Sequence, residues 1–262
     1  MSNQQNHATI CAAIENDLYD LWHKVAVISG NKVSTSHKLS WIMSAHSDWP
    51  NRIFRAKFNT ADANDRIVTA IEQIRLSKMP KMWIVGPSSF PTDLGEQLMA
   101  HGFYKHTVQS GMAIDLLRAN IKPSPQDSEL VIHSCLDLDT LQQWKFVSDT
   151  AFNRKVNFDI FVKMLNEKSI HFYAGSIHGQ VVATLFISYS PTFAGLHTVT
   201  THPAYRKRGI AAAMVRKALR DIQKQDYPLA VLQASPLGEG VYREIGFRKY
   251  FDLTHYALDF KI

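Results

Sequence analysis

Only two of the 262 residues are cysteine, Cys11 and Cys135. Two thiols cannot make a disulfide framework, and neither stands in a cluster spaced for a metal, so a disulfide-stapled secreted module and a zinc ribbon are both excluded. No apolar run approaches the roughly 20 residues of a spanning helix, and residues 1–9 lack the basic-then-apolar layout of a signal peptide. The expectation is a cytoplasmic protein with no membrane partner. No G-x-x-x-x-G-K-[ST] loop and no G-x-G-x-x-G turn occurs, which removes the Walker NTPases and the dinucleotide folds that rely on those glycines.

What is there is a globular composition, 45% hydrophobic and 20% charged, with glycine and proline near average. At this length the chain can bury one large core or two of ordinary size. A net charge of +6 and a pI near 9.2 favour an anionic ligand, either nucleic acid or a cofactor carrying several phosphates.

Apolar spacing predicts an α/β chain. Residues 8–28 read as a helix with Leu18, Leu21 and Val25 on one face. Short strands follow at 39–44 and 52–58, and Asn59-Thr60 is positioned to cap a helix running to about Lys78, striped by Ile67, Ile71 and Ile74. A strand at 81–86, a helix at 93–101 and an extended run at 103–117 complete the first half. Residues 121–129, IKPSPQDSE, have two prolines and no periodicity, so we place a linker at 121–127 between a domain at 1–120 and another at 128–262. The second half reads as a strand at 130–133, helices within 138–151 and 158–166, and strands at 170–177, 180–190 and 194–201. A helix at 207–224, a strand at 229–234, a short helix at 239–244 and a final strand at 247–260 follow. His178-Gly179 marks a hairpin turn.

One echo links the halves. Gly102-Phe103 and Gly246-Phe247 each sit between a short helix and a strand, and each is preceded by a strand and a Pro-Ser or Ser-Pro turn. The chain therefore reads as two copies of one α/β unit.

The most informative run is 196–214, LHTVTTHPAYRKRGIAAAM. A strand ends at Thr201, His202-Pro203 breaks it, and Arg206-Lys207-Arg208-Gly209-Ile210-Ala211 leads into a helix. A helix start has backbone N–H groups without partners and a partial positive charge. Gly209 lets the backbone approach a phosphate, and Ala211 keeps the first turn free of bulk. The arrangement resembles the [RQ]-x-x-G-x-[GA] pyrophosphate loop of the GNAT N-acetyltransferases, mapping onto Arg206, Gly209 and Ala211. The run Leu232-Gln233-Ala234-Ser235 and then 238–247, GEGVYREIGF, resembles that family's last motif.

The resemblance implies two GNAT-like units, each a mixed, mostly antiparallel central sheet flanked by helices, the first degenerate and without a cofactor loop. It implies acetyl-CoA as co-substrate, with Arg206, Lys207, Arg208, Gly209, Ile210 and Ala211 at the pyrophosphate. Val199, Thr200 and Thr201 would lie along the pantetheine arm, with Ser235 standing where many members have Asn. It also implies direct acetyl transfer to an amine of a small molecule or peptide, with Tyr242 beside the thioester sulfur as proton donor.

His197 is the candidate base, because strand alternation places it on the face of Val199 and an imidazole titrates near neutrality. The structural alternative is a hydrogen-bonded strand histidine. His202 is read as shaping the turn. Arg216, Lys217, Arg220 and Lys224 read as a solvated helix face, and without an aromatic platform no nucleic-acid partner is expected. The first half opens its helix with Asp62 and Asp65, which would repel a pyrophosphate, and is expected to form one wall of the acceptor site. Trp41, Trp49 and Trp83 could line that wall, but core packing is the use expected of each. The competing function is a non-catalytic acyl-CoA sensor or interaction module on the same fold. The sequence singles out no acceptor and no oligomeric state.

Overall fold

The computed structural model describes residues 3–123 and 129–259. Seven helices and eleven strands occur among them. In chain order they are α1 (Asn3–Ser29), β1 (Lys32–Thr35), β2 (Ser40–Met43), β3 (Arg52–Phe54), α2 (Ala63–Arg75), β4 (Met82–Val85), α3 (Leu94–Ala100) and β5 (Tyr104–Asp115). Then come β6 (Leu130–Ser134), α4 (Leu138–Phe152), α5 (Phe158–Leu165), β7 (Ile170–Ile177), β8 (Gln180–Tyr189), β9 (Ala194–Thr201), α6 (Ile210–Gln223), β10 (Leu229–Ala234), α7 (Glu239–Ile245) and β11 (Arg248–Ala257). Among the described residues no helix is long and apolar enough to cross a membrane.

The chain divides into two compact units, one of Met1–Gly111 with Tyr250–Ile262 and one of Met112–Lys249. This differs from the linker expected at 121–127, of which residues 124–127 lie outside the described residues. The reason is pairing. The last strand, β11, runs antiparallel to β4, with Thr254 opposite Val85 and Ala257 opposite Met82, so the C-terminus belongs with the first unit.

In the first unit β1, β2 and β3 pair antiparallel in turn, and β3 lies parallel to β4 with Ile53 opposite Trp83. One sheet face carries α2 and α3 over a core of Ile53, Phe58, Ile67, Ile74, Trp83, Leu98, Phe103 and Tyr256. The amphipathic spacing of α1 buries Ile14, Leu18, Leu21, Trp22 and Val25. Trp83 and Trp49 are buried and Trp41 packs against the core, the use expected of them. The strand β1, too polar to be seen in the sequence, forms through its ladder with β2. Helix α2 starts later than Asn59-Thr60 predicts: Asp62 is its N-cap residue and makes no side-chain cap.

In the second unit β6, β7, β8 and β9 form an antiparallel meander, and β10 joins β9 in parallel. His178 and Gly179 both take positive φ, 48° and 79°, the left-handed pair that a two-residue hairpin turn requires. Helix α6 packs on one sheet face through Ile210, Met214, Ala218 and Ile222 against Leu185, Ile187, Leu196 and Leu232. Trp144 of α4 and Phe161 of α5 meet Phe172 and Phe186 on the other, with ring centroids 5.0–6.4 Å apart.

Candidate active site

The parallel pairing of β9 and β10 covers Ala194 and Gly195, opposite Ala230 and Val231, and goes no further. Past that point the edge of β9 that faces away from β8 is not laddered to β10. This edge carries Val199, Thr200 and Thr201, the arrangement that an extended ligand would need in order to add as a strand. Thr201 is buried, and its Oγ1 has no hydrogen-bond partner. An orphaned hydroxyl beside an unladdered edge fits a polar ligand there.

Strand β9 is not regular. Phe186 lies opposite His197 and Thr184 opposite Thr200, so two residues of β9, Thr198 and Val199, share one position of β8. Thr198 takes φ of 50°, and its carbonyl accepts from Thr184 Oγ1 at 2.7 Å. This bulge shifts the side-chain phase. Val199 packs against the α6-side core, whereas His197 stacks on Phe186 at 5.1 Å on the α4–α5 side. The expectation that His197 shares the face of Val199 is therefore corrected. His197 is 8% exposed, and its Nε2 is 3.0 Å from Ser188 Oγ.

Beyond β9, His202 accepts from the Ala204 N–H at 3.4 Å and caps the single 3-10 turn Pro203–Tyr205, the shaping role expected of it. Arg206 donates through Nε to the Thr201 carbonyl at 3.3 Å. Arg208 lies 3.6 Å from Glu129 and 5.8 Å from the Tyr205 ring centroid. Lys207 and Gly209 take φ of 63° and 74°, so α6 begins at Ile210 and not at Lys207.

Gly209 is the N-cap residue with no side-chain cap, and the first turn of α6 has no acidic residue. The N–H groups of Ile210, Ala211 and Ala212 thus point out of an uncapped helix end. A Cβ placed on Gly209 meets nothing within 4 Å, so an open cradle lies in front of them. Such a cradle fits a pyrophosphate. Ile210 offers only its backbone, since its side chain is in the core.

Ser235 is exposed, and its carbonyl accepts from Gly238 and Glu239, closing the turn into α7. Tyr242 is buried, its ring 5.8 Å from Phe247 at 71°. Its carbonyl accepts from the N–H groups of Gly246 and Phe247, with Gly246 at φ 116° ending the helix. Burial pushes the Tyr242 phenol well above its usual range, so it keeps its proton. Burial also pushes the Cys135 thiol up to about 12, and the nearby Asp137 adds to it, so this sulfur is an inert thiol and not a nucleophile. The basic face of α6 is largely engaged: Lys217 and Lys224 pair with Asp221, and Arg216 reaches the Lys122 carbonyl.

The first unit has the same kind of parallel pair, β3 with β4, but closed. Phe58 N–H donates to Phe90 O and Phe90 N–H to Ala56 O, each at 2.9 Å, bridging the gap that stays open past Gly195. Glu15 of α1 accepts from Ser88 N and Ser88 Oγ at 3.1 Å and from Tyr19 at 3.2 Å. A Cβ on Gly86 would collide with its Oε1. No sequence motif signalled this plug, which depends on a helix some 70 residues upstream.

Residues 136–250 match the family model of the acetyltransferase (GNAT) domain. No curated protein sequence matches the chain. Among solved structures, a GCN5-related N-acetyltransferase from Kribbella flavida superimposes with a TM-score of 0.74 at 14% identity, covering 95% of this chain and 96% of its own. Another from Sphaerobacter thermophilus gives 0.64 at 14%, covering 85% and 81%. A tandem GNAT protein from the clavulanic acid biosynthesis pathway gives 0.61 at 11%, covering 83% and 77%. At such identities these likenesses establish the fold. Residues 136–250, a little under half of the chain, thus match a GNAT acetyltransferase domain, and the chain has the fold of GNAT proteins, a tandem one among them.

Proposed function

We propose that the protein is an N-acetyltransferase that moves an acetyl group from acetyl-CoA directly to an amine of a small molecule or peptide. The observation that carries this reading is the uncapped, carboxylate-free start of α6 behind the open Gly209 cradle, beside the unladdered edge of β9. When bound, acetyl-CoA supplies the acetyl group as an activated thioester. The N–H groups of Ile210, Ala211 and Ala212 hold the pyrophosphate, with Arg206, Lys207 and Arg208 adding screened attraction. Backbone groups of Val199, Thr200 and Thr201 orient the pantetheine arm as an added strand, and the exposed Ser235 offers its hydroxyl to the same arm.

The Tyr242 hydroxyl holds a proton throughout the neutral range and donates it toward the sulfur as the thiolate leaves. Its ring is fixed by Phe247, and no protein group among the described residues takes its hydroxyl, which leaves that proton for the ligand. His197 serves as base for an amine presented on the α4–α5 face of the sheet, its ring held by Phe186 and Ser188. The plugged gap beside Glu15 and the carboxylates Asp62 and Asp65 support a first unit that takes no acyl-CoA.

Calorimetry with acetyl-CoA tests the binding, and thiol release across a panel of amines tests the transfer. No heat at roughly millimolar cofactor would remove the proposal. Binding with no thiol release for any amine would point instead to an acyl-CoA sensor. His197→Gln should bind cofactor as the parent does and transfer more slowly; unchanged turnover would remove it as the base.

A further inference from the structure

The first unit has a cavity of about 500 Å³ at the end of its sheet where β2 finishes and β3 and β4 begin, away from the plug at Glu15. We propose that this cavity binds a small organic oxyanion, a carboxylate or phosphate carried on an apolar body. It goes beyond the acetyl transfer assigned to the second unit and does not depend on it.

Three cations from three separate elements line it: Arg52 at the start of β3, Arg75 at the end of α2 and Lys81 just before β4. Asp48 is the single lining carboxylate, so the wall is net cationic. Arginine offers paired donors in the plane of its guanidinium, the geometry that a carboxylate or phosphate accepts. Lys81 also has Asp259 at 3.4 Å, but that pair is largely exposed and weak, so it leaves the ammonium able to turn to a stronger partner. Ser44 and Ser77 add hydroxyls to the same wall.

The rest is apolar. Ile74 and Met79 are buried, with Pro80, Met43 and Met82 beside them. Three thioethers adapt to an apolar body of more than one shape. A volume of this size is within the range of small-molecule sites, and a mostly apolar lining with a few convergent charges is their usual make-up.

The walls are set before any ligand arrives. Ser44 N–H donates to Asn51 Oδ1 at 2.6 Å, Asn51 Nδ2 to Ser47 O at 2.7 Å and Arg52 Nη1 to Asn51 O at 2.7 Å. The Arg52 guanidinium also lies 5.9 Å from the Trp22 ring centroid. A helix C-terminus ordinarily disfavours an anion. Here the last carbonyls of α2 are already taken by the N–H groups of Leu76, Ser77, Lys78 and Met79, so that penalty is small.

The test is residue-resolved amide shift mapping on the full chain with phenyl phosphate, benzoate and neutral benzyl alcohol. Saturable shifts at Ser44, Ser77 and Lys81 with either anion, and none with the alcohol, are expected. The phosphate arm alone would mark a phosphate site, and the benzoate arm alone a carboxylate site. Shifts at Arg206–Gly209 report the other unit and do not count. Arg75→Gln and Lys81→Gln should each weaken binding about tenfold. No shift at these amides up to roughly 10 mM of either anion, an equal response to the alcohol, or unweakened binding by both variants would overturn the assignment.

Discussion

Replacing Gly209 by aspartate isolates the charge requirement of the proposed pyrophosphate site. The glycine sits at φ 74°, ψ 2° with no atom within 4 Å of a would-be Cβ, so the new side chain has room. The left-handed backbone costs an L residue about 1–2 kcal/mol. An Asp at the N-cap position gives back only about 0.3 kcal/mol relative to glycine by accepting from the first-turn N–H groups. The fold should therefore survive with a small change in melting temperature.

The ligand should not fare as well. Two unit charges 4 Å apart repel by about 4 kcal/mol at an effective dielectric of 20. Because the loop is exposed, salt reduces this to about 2–3 kcal/mol, a loss in acetyl-CoA affinity on the order of 30- to 150-fold. Gly209→Asn is the control, with the same shape, the same backbone strain and the same capping capacity but no charge. Calorimetry of the three proteins at low and moderate salt reads the difference. If the Asp and Asn variants bind acetyl-CoA equally, or if Asp binds as the parent does, the pyrophosphate does not lie against α6 and the site is misplaced.

Tyr242→Phe should keep both stability and cofactor affinity, because the ring packing against Phe247 remains and no protein hydrogen bond is lost. Turnover should fall by about 10²-fold, and equal kcat would remove the donor role. Glu129→Gln should tighten acetyl-CoA binding about two- to threefold, since the carboxylate 3.6 Å from Arg208 competes with phosphate; the gain should shrink with salt. If affinity instead falls, Glu129 is holding Arg208 in its binding pose.

His255 is buried with its Nε2 unpartnered, and burial, with Arg52 and His106 adding to it, holds its pKa down at about 3 against an ordinary value of 6.5. The unfolded chain then binds a proton that the folded one refuses between those pH values. Stability is lost as pH falls from 6.5 toward 3, by roughly 4–5 kcal/mol at most. His255→Leu should flatten that slope in thermal melts taken from pH 7 to pH 4, and an unchanged slope would refute the account.

The run Arg206–Ala211 announced itself in the sequence because the need is local. A loop that hands a phosphate to a helix start requires a left-handed glycine, a small first turn and no carboxylate, all within six residues. The order of elements, the hairpin at His178-Gly179 and the Gly-Phe helix ends were legible for the same reason: each is set by neighbours one turn away.

Three things were decided by tertiary structure alone. The face of His197 depends on a bulge at Thr198, whose carbonyl is held by Thr184 on the next strand, so counting by twos along β9 gives the wrong side. The division of the chain depends on β11 choosing β4 as a partner more than 160 residues away, a pairing that no local pattern encodes. The closing of the first unit's gap depends on Glu15 reaching Ser88 and on Phe90 bridging Ala56 and Phe58. Backbone ladders and buried carboxylates are satisfied by whatever the fold brings near. Local pattern thus set the uncapped, carboxylate-free start of α6, and long-range pairing alone decided which strand gap is closed and which stays open.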